Sequence, residues 1–197
     1  MKATMKTLSA ILICCFISTI QMYGENIQRP ESENYVKGVE ALNEGNPEAA
    51  YTYLNAEINE HPDNGYAHCY MALICNFCNN TKLALQALNS SLELIPEADT
   101  EYRSFAHYSR GVLLTNLKMW KRAEADLNEA IRLNPEDVEN YKSRAQLYFE
   151  TERYEESLND LTRALKLDSK ADVNDLVLQL MAVAPTSEFM ERITATY

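Results

Sequence analysis

The sequence predicts an all-α fold, an α-solenoid of stacked antiparallel helix pairs, and three observations carry that prediction. Only 5 Gly and 6 Pro occur among 197 residues, too few for the turn punctuation of an all-β chain. Four sets of positions share one spacing of 34, 39 and 34 residues: Pro62/Pro96/Pro135/Ser169, Gly38/Ala72/Gly111/Ala145, Ala50/Ala84/Ala123/Ser157 and Glu57/Ser91/Ala130/Ala164. Most of these residues are small, and large partners at Leu54, Leu88, Leu127 and Leu161 keep the same step. Small residues let a neighbouring helix approach, and each pair hides its apolar face only by stacking on the next.

The first helix pair is expected over residues 32–44 and 47–60, and the second over 65–78 and 81–94. The third is expected over 101–117 and 119–133, and the fourth over 138–150 and 153–167. Pro ends the second helix of each of the first three units, because it lacks an N–H and clashes with the preceding turn. The 39-residue step adds five residues, Asp99 to Arg103, and the glycine-free run EADTEYRSFAHY favours a lengthened fifth helix over a bulging loop. Val173, Leu176, Val177, Leu180 and Val183 then recur at helical spacing up to Pro185. This ninth helix caps the fourth unit. Leu178, Met181 and Ala182 make it apolar on more than one side, so either residues Phe189 to Ile193 fold back over it or it meets another chain.

Met1 to Gly24 reads as a secretory signal: Lys2 and Lys6 precede the charge-free run LSAILICCFISTI. Thirteen apolar residues fall short of the roughly 20 that span a bilayer. The expected organisation is a signal at 1–24, a linker at 25–30, repeats at 31–64, 65–98, 104–137 and 138–171, and a cap with tail at 172–197. The expected location is exported, periplasmic or secreted, with an uncleaved membrane anchor as the alternative. Peripheral membrane association stays open. Processing takes the net charge from −11 to −13 and leaves Cys69, Cys75 and Cys78. An odd count of thiols excludes a disulfide scaffold. The acidic balance disfavours nucleic acid, whose phosphates need clustered Lys and Arg.

These residues resemble the tetratricopeptide repeat family over Glu31 to Ala171. The third unit matches best, with Gly111, Trp120, Ala123, Leu127, Ala130 and Pro135. The fourth follows with Tyr141, Ala145, Tyr148, Tyr154, Leu161, Ala164 and Leu165. Glu57 replaces the usual small residue in the first unit, and Asn79-Asn80 replaces the usual turn glycine in the second. The resemblance implies a right-handed superhelix whose concave groove holds a segment of another protein. By alignment the groove takes Tyr35 and Val39, then Tyr66, Cys69, Leu73 and Asn76. It continues with Phe105, Tyr108, Val112 and Asn116, and ends with Lys142, Gln146 and Phe149. Tyrosines with interspersed amides suit recognition, since Tyr offers large area at small rotamer cost. Some relatives clamp a chaperone's terminal carboxylate with Lys, Asn and Arg; Tyr35, Val39, Tyr70, Phe105 and Ser109 hold those positions here, so that clamp is absent.

No catalytic constellation emerges, and the chain is expected not to be an enzyme. Cys75-Asn-Phe-Cys78 has redox CxxC spacing, but it ends a helix, where the dipole raises a thiol pKa instead of lowering it. His61, His68 and His107 are not spaced to converge on a metal. No cofactor or metal is expected. A protein or peptide partner of unknown identity is the leading reading. The alternatives are a homo-oligomer through Val173–Ala184 and a thiol-redox protein using Cys75 and Cys78.

Overall fold

The computed structural model describes residues 27–183 and residue 191. The expected signal segment and, apart from Glu191, the expected fold-back of the tail lie outside the described residues. All regular elements among the described residues are helices; the first eight form four antiparallel hairpins and the ninth packs on the eighth. The order is α1 (Glu33–Asn43), α2 (Pro47–Glu60), α3 (Gly65–Phe77), α4 (Thr81–Leu94), α5 (Thr100–Asn116), α6 (Trp120–Leu133), α7 (Val138–Glu150), α8 (Tyr154–Leu167) and α9 (Asn174–Val183). Two compact units divide at Ala106 and His107, within α5.

The extra five residues lengthen α5 to 17 residues, against 11 in α1 and 13 in α3 and α7. Asp99 starts it: its carboxylate accepts from the Tyr102 N–H at 3.2 Å, and its carbonyl accepts from Arg103. A side-chain acceptor just before a helix satisfies one of the first four orphan N–H groups. The expected helix starts at 119 and 153 move inward by one. Met119 and Arg153 sit outside the helix, with ψ of 56° and 64°.

Every hairpin turns through one left-handed residue: Gly45 (φ 71°), Asn79 (58°), Lys118 (59°) and Glu152 (61°). Two backbone bonds close each turn, as in Asn79 N–H to Asn76 O at 2.9 Å and Asn80 N–H to Cys75 O at 2.8 Å. Only the first turn uses glycine, whose missing Cβ makes that conformation strain-free.

In the first unit α1 packs on α2, α2 on α3 and α3 on α4. Leu54 and Leu88 are buried at the centres of their hairpins, and a Cβ on Gly38 would lie 2.7 Å from Leu54 Cγ. Buried Glu57 accepts from Asn64 Nδ2 at 2.8 Å, and that Asn64 also caps α3 through Ala67 N–H at 3.1 Å. In the second unit α6 packs on α7, α7 on α8 and α8 on α9. Val173, Leu176, Val177 and Leu180 join Leu158, Leu161 and Ala164 in one core. The ninth helix therefore closes the apolar end of the fourth hairpin.

Candidate partner-binding faces

In the first unit the first helices bring four tyrosines together. Tyr66 meets Tyr102 edge-on with ring centroids 4.8 Å apart, Tyr70 lies 6.2 Å from Tyr102, and Tyr35 lies 6.1 Å from Tyr70. The two pairs with Tyr102 are edge-to-face at favourable separations, and the Tyr35–Tyr70 pair is tilted. The hydroxyls are engaged inside the cluster: Tyr70 and Tyr102 share a bond at 2.9 Å, and Tyr66 donates to Asp99 Oδ2 at 3.0 Å. Burial raises the phenols of Tyr35, Tyr66, Tyr70 and Tyr102 above their ordinary value, and the Asp99 charge adds to this at Tyr66. They act as neutral donors and acceptors.

Arg29, in the non-helical stretch before α1, reaches this cluster. Its Nε bonds Asp99 Oδ2 at 3.3 Å, its Nη2 bonds Glu101 Oε2 at 3.1 Å, and its guanidinium carbon stands 4.6 Å from the Tyr102 ring centroid. Burial by itself would lower the Arg29 pKa; the bonds and charges of Asp99 and Glu101 outweigh it and hold the group above its ordinary value.

Burial revises the expected lining. Tyr35, Tyr66, Cys69 and Phe105 are buried, Val39 and Leu73 are half-buried, and Asn76 is exposed. The rings fill the spaces between successive helices, where they exclude more water than they would standing on a surface. Cys69 is sealed in, and burial pushes its thiol up to about 12, although a bond with Ser91 pulls the other way. In the second unit Tyr108 is buried and burial raises its phenol, while Val112 is half-buried and Asn116 exposed. Lys142 Nζ bonds Glu139 at 2.7 Å, and Gln146 Nε2 bonds Glu150 at 3.0 Å.

Cys75 and Cys78 fall at the end of α3, both as free thiols. Cys75 is buried and its thiol is raised by desolvation and by Cys78, the reverse of what a redox nucleophile needs. His68 Nε2 is bonded to Pro62 O at 2.9 Å, and His107 Nδ1 to Asp126 at 2.9 Å. The described residues contain no group of three His, Cys, Asp or Glu side chains placed to hold a metal ion. No described helix is long and apolar enough to cross a membrane.

Arg29, Tyr70, Asp99, Glu101 and Tyr102 were not among the sequence-derived site residues. The signal was present at three of them, since the inserted stretch breaks the 34-residue period at Asp99 to Arg103. Arg29 carried none, because a lone arginine in a linker looks like any solvated charge.

Helix hairpins closed by left-handed turns and packed internally through small-to-large contacts, Gly38 on Leu54 and Gly111 on Leu127, define the helix–turn–helix repeats of an α-solenoid. The tetratricopeptide repeat family's sequence profile matches residues 106–137 and 138–170, the third and fourth helix pairs. It is 25% identical over 143 residues to human tetratricopeptide repeat protein 6, covering 73% of this chain and 26% of that one. Over 87 residues it is 30% identical to the lipoprotein NlpI homolog of Haemophilus influenzae, covering 44% of this chain and 28% of that one. The chain thus spans little more than a quarter of these relatives. Among solved structures, MamA from Desulfovibrio magneticus shares the fold at a TM-score of 0.68 and 19% identity, over 83% of this chain and 90% of that one. YrrB, described as a tetratricopeptide protein with an unusual peptide-binding site, matches at 0.59 and 21% identity, over 70% and 68%.

Proposed function

We propose that the protein is a non-catalytic interaction module that holds a segment of a partner protein in an exported compartment. The observation that carries this reading is the tyrosine cluster of the first unit, already engaged by an arginine from a non-helical stretch of chain. Non-helical chain laid on first-helix side chains is the mode a peptide partner would use. The family supports an interaction role, and YrrB is a fold relative with a peptide-binding site. Lys2, Lys6 and the apolar run after them support export, and the Haemophilus lipoprotein relative agrees with an envelope location.

Partner contact is assigned to Tyr35, Tyr66, Cys69 and Phe105 as buried support in the first unit, with Asn76 as an exposed contact. In the second unit Tyr108 supports Val112, Asn116, Lys142 and Gln146. Cross-linking with mass spectrometry in the native host tests the reading. Asn76→Arg and Asn116→Arg, both on exposed sites, should abolish a cross-linked partner without changing the melting temperature. Unaltered cross-links would sink the assignment. A second reading, self-association through α9, rests on Leu178, which is 63% exposed beside the buried Val177. Light scattering of Leu178→Asp against the unmodified chain decides it: an unchanged mass removes the dimer.

A further inference from the structure

The insertion that breaks the repeat and the arginine that precedes the first helix meet at one place. Of the five extra residues, Asp99, Glu101 and Tyr102 all face Arg29, and Arg103 fixes their base. Arg103 Nη1 donates to Leu92 O at 2.8 Å and Ile95 O at 3.0 Å, tying the end of α4 to the start of α5. Asp99 is 1% exposed. Besides Arg29, the Tyr66 hydroxyl and the Tyr102 N–H hold its orientation. A cation beside a buried carboxylate relieves the cost of that burial.

The shape is selective among cations. Arg29 presents Nε and Nη2 to the two oxygens of Asp99, at 3.3 and 3.5 Å, while Nη2 also reaches Glu101. The guanidinium simultaneously covers the Tyr102 ring. A planar fork that bonds edge-on and stacks face-on fits this arrangement; a compact ammonium can satisfy the charge or the ring, and not both in the same way.

We propose that the insertion builds an arginine receptor for a partner's non-helical segment, and that the chain's own Arg29 occupies it as a tethered competitor. This rests on the partner-binding reading of the first unit and supplies the partner's chemistry: an exposed arginine in non-helical chain. Arg29 sits four residues before α1, so its effective concentration at the receptor is high, on the order of millimolar. A partner must displace it, and removal of Arg29 opens the site.

The test uses the full chain, and as probe a synthetic peptide of residues 27–32, Ile-Gln-Arg-Pro-Glu-Ser, with a second peptide carrying Arg29→Lys. Calorimetric titration should show the arginine peptide binding the Arg29→Ala chain at least about tenfold more tightly than the unmodified chain. Adding Glu101→Gln should weaken that binding several-fold, and the lysine peptide should bind more weakly than the arginine one. Equal binding to the Arg29→Ala and unmodified chains overturns the proposal, as does equal binding of the two peptides. If Arg29→Ala lowers the melting temperature, Arg29→Lys in the chain makes the same comparison with the charge retained. Peptide binding with unchanged cross-links in the Asn76 and Asn116 variants would retain the receptor and sink the broader assignment. Lost cross-links with no peptide discrimination would do the reverse.

Discussion

The two units solve the same packing problem with different chemistry. At one pair of equivalent positions on consecutive helices, the second unit places Arg110 against Asp126 and Arg144 against Asp160. Each is a two-pronged bond: Arg110 Nε and Nη2 lie 2.8 Å from the two Asp126 oxygens, and the Arg144 distances are both 2.7 Å. In the first unit those positions hold Lys37 with Tyr53, where the ammonium sits 5.7 Å from the ring centroid, and Met71 with Ala87, both buried. The hairpin turns differ as well. Asn46 and Asn80 cap their helices through Ala49 and Leu83 N–H groups at 3.1 and 3.3 Å, while Met119 and Arg153 make no side-chain cap. The comparison teaches that the repeat demands a shape and leaves the chemistry free. An apolar contact, a cation over a ring and a buried ion pair all fit between the same helices.

Exchanging these solutions tests that lesson most severely. Arg144→Met alone leaves Asp160 buried without its partner and should cost about 3–5 kcal/mol. Arg144→Met with Asp160→Ala recreates the Met71 and Ala87 pair and should recover most of that loss in urea unfolding. A double variant no better than the single one would mean that the two units are not interchangeable. Giving the third hairpin the cap of the first, Met119→Asn, should stabilise by about 1 kcal/mol. Thermal unfolding with no upward shift would show that the first turn of α6 gains nothing from a side-chain acceptor.

A smaller gain is expected at the left-handed turns. Lys118→Gly and Glu152→Gly relieve an unfavourable backbone conformation and should each add up to about 1 kcal/mol at these sites, offset by the larger entropy of glycine in the unfolded chain. Asn79→Gly should gain less, since asparagine already tolerates that conformation. Equal responses at all three would remove the distinction.

The ion pairs differ in proton affinity, which NMR titration of the carboxyl carbons reads directly. Burial raises both carboxyl groups; at Asp126 the donors Arg110 and His107 outweigh it, and the pKa falls below 3.8. Arg144 does not offset the same penalty at Asp160, whose pKa lies above 3.8. The depressed Asp126 value gives stability that is present above pH 3.8 and lost as pH falls through the folded value. The opposite order of titration would break the comparison between the two pairs.

Much of this architecture was legible in the residues. The small and large markers at 34, 39 and 34 place helix boundaries within a residue of their positions, because steric fit at Gly38, Ala72, Gly111 and Ala145 recurs in every hairpin. The lengthened α5 was also readable, since a glycine-free insertion has no reason to leave the helix. The receptor was not. Asp99 and Arg29 are 70 residues apart, and no local pattern connects them. The aromatic positions were found, while which of them pack and which stand exposed stayed open, because periodicity assigns a side chain to a face and says nothing of what covers that face.

The sequence by itself determined the helices, their pairing and the repeat, since these follow from contacts between residues close along the chain. Only the tertiary structure decided which tyrosines are interior, that Asp99 is oriented by Tyr66, and that Arg29 lies over Tyr102. Such contacts depend on where a helix surface lands after folding, and burial of charge and ring is a property of that arrangement.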